Sequence, residues 1–221
     1  MANTVKSGAP KSKTAPPRVW QRMLSGRRLD LADPSPLDIE IEDIAHGLAR
    51  VARWNGQTLG PHIYSVAQHS LFVEAIADTL SPQAGVRVRL AVLLHDAAEY
   101  VVGDMISPFK AMIGGSYRET ENRILDATMR RFGLPAPMTR IASALAKKAD
   151  RAAAYHEATR LAGFTPAEAR EIFGDPLRLS SAVLALAEPM PIDAAKAAFL
   201  ARFTALDRAL QAGQSDGNAT P

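Results

Sequence analysis

Apolar residues recur at steps of three and four through most of this sequence, and that period commits the chain to helices packed on helices. His62, Val66, His69, Val73, Ile76 and Leu80 fall on one helical face, closed by Ser81-Pro82. Gly85 to Val102 predicts a second helix, with Val86, Leu90, Leu93, Ala97 and Val101 inward. "GGSYRETENRILDATMRRFGLP" predicts a third, stopped by Gly133. An alanine-rich fourth spans Met138 to about Leu161, and Ile192, Ala195, Phe199, Phe203, Leu206 and Leu210 mark a last amphipathic face. Upstream, a short helix is expected from about Glu40 to Arg53, ended by Asn55-Gly56. The expected fold is an all-α helical bundle with no extended sheet.

The 221 residues suffice for one domain with a sizeable core. Residues 1–19, rich in Pro, Ala, Lys and Ser, predict a disordered basic arm, and the small polar residues 212–221 a flexible tail. Between them, residues 20–211 form the helical domain, with its centre at about 40–160 and a C-terminal extension at 161–211. Seven cations (Lys6, Lys11, Lys13, Arg18, Arg22, Arg27 and Arg28) precede the first acid, Asp30. Setting them aside leaves 19 cations against 23 anions, a body of about −4. Such a body has no clustered basic surface, which argues against a stable nucleic-acid complex. No stretch approaches the ~18 apolar residues of a membrane span, and the first residues lack the apolar run of a secretory signal. A cytoplasmic protein that does not engage membranes is expected. With no cysteine there is no disulfide and no thiolate site, so any metal must take nitrogen and oxygen ligands.

The apolar pattern is interrupted at "LLHDAAE", where His95 and Asp96 follow two leucines and Glu99 lies one turn on. Burying charge costs several kcal/mol unless something compensates it. His69 also sits on the inward face of its helix, and Asp150, in "LAKKADRAAAYHEA", is a carboxylate set among alanines. Two imidazoles and two carboxylates converging from three helices are compensated by a divalent cation. Such a set suits Mn, Fe, Co or Ni with positions left open, whereas zinc more often takes a tetrahedral set. Glu99, i+4 from His95 and i+3 from Asp96, shares their face and can act as a base toward water there. Taken singly, these residues have plainer readings. A lone histidine is usually a satisfied core residue, Asp150 fits a solvated helix face, and Asp104 fits a turn or helix cap. Arg53-Trp54 fits a surface cation packed on an aromatic ring. His62 and His156 read as structural or peripheral.

Together, "QHS" with His69, "LLHDAAE" with His95, Asp96 and Glu99, and "KKADRAAAY" with Asp150 give the order H…HD…D and resemble the HD-domain phosphohydrolase superfamily. Within it the chain is similar to the small 5′-deoxynucleotidases of the YfbR type, through "ARW" (Arg53-Trp54), "GDMISPFK" and the "KADxxxAY" run. The resemblance covers roughly residues 40 to 160. It departs from that type at "NGQT" after Trp54 and at Gln68, where those enzymes have a glutamate. The resemblance implies that His69, His95, Asp96 and Asp150 hold one divalent metal ion (Mn, Co, Mg, Ni, Fe or Zn). It implies that Asp96 and Glu99 serve catalysis, Glu99 by handling the proton of the attacking water. Arg53 would grip the substrate phosphate, Trp54 pack on the sugar, and Asp104 accept a hydrogen bond from the sugar 3′-hydroxyl. Ser107 and Pro108 would line the same pocket. The implied activity is hydrolysis of a small nucleotide, a deoxyribonucleoside 5′-monophosphate first, by a homodimer. Two alternatives stay open: hydrolysis of nucleoside triphosphates or another phosphoester in the same pocket, and a non-catalytic module that senses metal or nucleotide.

Overall fold

The computed structural model describes residues 18–106, 109–110, 112 and 115–217; most of the N-terminal arm lies outside them. Among the described residues the chain is an all-α bundle of nine α-helices with one two-stranded ribbon. The ribbon pairs β1 (Trp20–Arg22) with β2 (Arg28–Asp30) in antiparallel register, Trp20 opposite Asp30 and Arg22 opposite Arg28, and buries Leu29. The helices are α1 (Ile41–Leu48), α2 (Val66–Leu80), α3 (Val86–Leu93), α4 (Glu99–Val102) and α5 (Gly115–Arg131), then α6 (Arg140–Arg160), α7 (Pro166–Phe173), α8 (Ser181–Leu184) and α9 (Ile192–Gly217).

Local chemistry fixes where several helices start. Ser65 accepts from the amide of Gln68 at the head of α2, and Thr139 from that of Ala142 at the head of α6. Thr165 and Glu168 form a reciprocal capping box on α7. His62 precedes the Ser65 cap and is exposed, so it is not part of the α2 face. The first helix is also shorter than its period suggests. It stops at Leu48, and residues 51–53 pair instead with the chain entering α2: Val66 N–H donates to Val51 O (3.0 Å) and Arg53 N–H to Tyr64 O (2.8 Å). At the other end, α9 runs through residue 212 to Gly217, past the start of the expected tail, with no proline in its way.

The expected helix over 85–102 is broken at 94–98. Between His95 and Tyr100 the amides of His95, Ala97, Glu99 and Tyr100 bond three residues back, the tighter 3₁₀ pattern. Val92 O, which an uninterrupted helix offers to residue 96, accepts the His95 amide at 3.2 Å and faces His95 Nδ1 at 2.9 Å. The side chain thus competes with the helix for its own backbone.

α2 lies between two apolar clusters. One gathers Ile44, Leu48, Leu90, Leu93, Ile124, Phe199 and Phe203; the other gathers Phe72, Val73, Ile76, Val92, Ala146, Ala149 and Ala153. From Val66 to Glu74 every α2 residue is buried, so each of its polar groups needs a partner inside the fold. Gln68 donates to Glu188 O (2.8 Å) and accepts from Met190 N–H (3.2 Å), while Glu74 accepts from Arg89 and Arg202. His69 is treated below. The alanines facing α2 from α6 leave room for close helix contact.

α4 leans on α1 at Gly47, where an added Cβ would meet Tyr100 Cβ at 2.7 Å and Tyr100 O at 2.9 Å. Helix propensity alone favours alanine over glycine by about 1 kcal/mol, but this clash involves backbone and cannot be relieved by a rotamer change. Gly47→Ala is therefore expected to destabilise the fold by about 1–3 kcal/mol, as overpacked cores do. Urea unfolding should show a lowered midpoint, and an unchanged or raised midpoint contradicts the packing described.

Candidate metal centre

Three separate elements bring the expected ligands to one place. α2 carries His69, the 94–98 turn carries His95 and Asp96, and α6 carries Asp150. One donor atom each from His69, His95 and Asp150 lies within 4.8 Å of the others. Asp96 Oδ2 is 3.2 Å from His95 Nε2 and 3.4 Å from His69 Nε2, and Asp150 Oδ1 is 3.2 Å from His69 Nε2. The two imidazole rings sit 5.5 Å apart, centroid to centroid.

The hydrogen bonds decide which ring nitrogens are free. His69 Nδ1 lies 2.6 Å from Glu157 Oε1, and His95 Nδ1 lies 2.9 Å from Val92 O. Both partners only accept, so Nδ1–H donates in each ring and Nε2 presents its lone pair when the ring is neutral. Both Nε2 atoms are buried and make no hydrogen bond of sound geometry, although carboxylate oxygens stand 3.2–3.4 Å away. Orphaned imidazole nitrogens facing carboxylates, with the opposite nitrogens held by acceptors, are the donor arrangement of a divalent-cation site. The residues present fit such an ion.

The surroundings of this centre are rich in negative charge. Glu99, the first residue of α4, is buried; Lys110 Nζ stands 3.6 Å from its Oε1, and its Oε2 has no partner. Gly103, at φ 78°, turns the chain after α4, and Asp104 then meets Arg53 Nη1 at 3.2 Å. Arg53 and Trp54 belong to a 3₁₀ turn over Arg53–Gly56. Arg53 Nη2 is 3.6 Å from Glu157 Oε2, and Trp54 Nε1–H donates to the same oxygen at 3.0 Å. The indole packs on Phe164 (5.7 Å) and Phe173 (6.0 Å), so the C-terminal extension supports this turn. Ser107 and Pro108 lie outside the described residues. His156 bonds Leu177 O through Nε2 and plays no part here.

The charges respond accordingly. Burial and Arg53 both push the His69 pKa down, but Glu157, Asp150 and Asp96 outweigh them and hold it well above its usual range. Burial works against ionised Asp96, yet His95 and His69 keep its carboxyl well below its ordinary value. Asp150 is likewise held low, against burial, by His69. Burial, then Asp96 and Asp104, raise Glu99 to about 9, so that without a cation it is protonated at neutral pH. Burial disfavours charge on Arg53, but Glu157 and Asp104 more than compensate and raise its pKa.

Glu157, which joins His69 to the Arg53–Trp54 turn, is the residue of this site that the sequence did not single out. Its signal was present: it lies seven residues after Asp150, two turns along the same face of α6, among Ala153, Ala154 and Ala158, all buried.

No protein-family model matches the chain. An uncharacterized protein of Rhodobacter capsulatus is 54% identical over 195 residues, which cover 87% of this chain and 98% of the relative. Identity of that extent over nearly the whole relative places the two in one family, and the chain belongs to the family of this Rhodobacter capsulatus protein.

Proposed function

We propose that the chain is a metal-dependent phosphohydrolase of the HD-domain type, removing phosphate from a small nucleotide, with deoxyribonucleoside 5′-monophosphates as the first substrates to consider. The observation that carries this is the pair of buried, unbonded Nε2 atoms on His69 and His95, facing Asp96 and Asp150 beside the unpaired Oε2 of Glu99. His69, His95, Asp96 and Asp150 would hold the ion. A divalent cation there supplies Lewis-acid charge at a phosphoryl oxygen and makes water a nucleophile at neutral pH.

The remaining work falls to the chain's own residues. Arg53, partly buried and held ionised, has an Nε without a partner and offers a guanidinium to the phosphate. Glu99 Oε2 accepts the proton of the attacking water. Neutralising Asp96 removes part of the repulsion that keeps Glu99 protonated, so the carboxylate becomes a base as the site loads. Asp104 holds Arg53 in place and remains the acceptor for a sugar hydroxyl. A purely sensing module has no use for a buried carboxylate with one free oxygen beside the ligands, which favours the enzyme. Both the cytoplasmic setting and the homodimer belong to this reading. Among the described residues no helix is long and apolar enough to cross a membrane.

A nucleotide panel with added Mn²⁺ or Co²⁺, read by phosphate release, tests the activity. Asp96→Ala is expected to lose cation and turnover together. Glu99→Ala should keep the cation while turnover falls by about 10²–10⁴-fold, the usual worth of a positioned acid or base. No phosphate release by the unmodified chain, or full release by Asp96→Ala, rejects the assignment.

Cation affinity should also depend on pH with a defined sign. The raised pKa of His69 means that the cation-free ring is protonated at neutral pH, and an ion must displace that proton. Mn²⁺ affinity should therefore rise as pH increases, by about tenfold per unit for this proton alone, until the ring's own pKa is passed. Calorimetry in buffers of different ionisation enthalpy reads the proton release directly. An affinity independent of pH between 6 and 8 shows that His69 holds no proton for the ion to displace.

A further inference from the structure

Glu157 lies outside the motifs that mark the cation site, and its side chain is wholly buried. A buried carboxylate persists only where its oxygens are used, and here they serve two different structures. Oε1 takes Nδ1–H of His69 at 2.6 Å. Oε2 takes Nε1–H of Trp54 at 3.0 Å and stands 3.6 Å from Arg53 Nη2.

The turn on the Oε2 side is strained. Trp54 and Asn55 both adopt left-handed backbone, φ 57° and 51°, a conformation that residues with a side chain rarely take. Such strain survives where the surroundings over-determine it, and it clusters at functional sites. The restraints here are the rings of Phe164 and Phe173, the Gln57 amide donating to Trp54 O (2.9 Å), and Glu157. The first two settle the indole and the backbone; Glu157 alone also reaches the cation site.

We propose that Glu157 is a positioning residue that holds the imidazole of His69 with one oxygen and the Arg53–Trp54 turn with the other, setting the two as a single unit. The roles of the two halves rest on the proposed function; the link between them rests on the distances above. A proper His69 orientation and a proper Arg53 orientation then come together or fail together, which matters because a phosphate must meet both groups at fixed separation.

The decisive variant is Glu157→Gln, which keeps the shape but has only one acceptor oxygen. Its NH₂ must face either His69 Nδ1–H or Trp54 Nε1–H, donor against donor. Mn²⁺ affinity is expected to fall about 10–100-fold, as when other outer partners of metal-ligating histidines are lost, with far-UV circular dichroism unchanged. In metal-free protein carrying Trp20→Phe, where Trp54 is the remaining indole, Glu157→Gln should raise acrylamide quenching of the emission. A change in both measurements supports the link. A change in only one reduces Glu157 to the support of a single partner and overturns it, as does a change in neither. If the unmodified chain takes up no Mn²⁺, the proposed function loses its cation. The quenching, together with the ¹⁵N shift of His69 Nδ1 in metal-free protein, then decides the link by the same rule. Should Glu157→Gln not fold, Trp54→Phe removes one donor and keeps the carboxylate. It should still weaken Mn²⁺ binding severalfold although the indole touches no proposed ligand, and an unchanged affinity overturns the link.

Discussion

Two like charges 4 Å apart near a protein surface repel by about 4 kcal/mol, and this site gathers Asp96, Glu99, Asp104, Asp150 and Glu157 around two histidines. Among the described residues Arg53 and Lys110 are the cations placed among them, too few to balance five carboxylates. The fold spreads the difference by protonation: His69 keeps a proton and Glu99 takes one. Under the proposed function a divalent ion held by the histidines would undo both adjustments, so charge balance and donor geometry point to the same place.

That arrangement depends on rigidity elsewhere. His69 is held in place because α2 is buried from Val66 to Glu74, and Gln68 and Glu74 on either side of it are bonded to the segment around Glu188 and to α3 and α9. α6 can bring Asp150 and Glu157 close because the residues between and before them on that face are alanines. The break after α3 rests on His95 itself, whose ring nitrogen shares the carbonyl of Val92. The Gly47 contact then presses α4, and with it Glu99, against α1. Packing and chemistry are the same residues in this region.

Much of this was legible from periodicity. α5 and α6 stand where their apolar spacing predicts, and donor atoms of His69, His95 and Asp150 lie within 4.8 Å of one another, with Asp96 Oδ2 3.2 Å from His95 Nε2. What the sequence concealed is non-local or conformational. No Gly or Pro lies between residues 86 and 102, so nothing marked the turn at 94–98. Asn55-Gly56 announced a turn, but not that Trp54 would take left-handed backbone and bond a residue more than 100 positions away. The aromatic partners of Trp54 come from the segment after α6, which has no motif of its own. Nothing in the pattern of α6 pointed to the partners of Glu157, which lie on two other stretches of chain, α2 and the Arg53–Trp54 turn.

Exposure around the centre implies an order of events. His69 and Glu157 are sealed from solvent, whereas the Asp96 side chain is 25% exposed and that of Asp150 42%. The open side of the site is therefore lined by carboxylates held ionised by the histidines behind them. An approaching phosphate meets repulsion from exactly the groups that attract a cation, while Arg53 lies deeper and is already engaged by Asp104 and Glu157. Under the proposed function a cation must arrive first, both to remove that repulsion and to free Glu99 of its proton. Among the described residues, a phosphate offered to the cation-free protein would find Arg53 and Lys110, each already paired with a carboxylate.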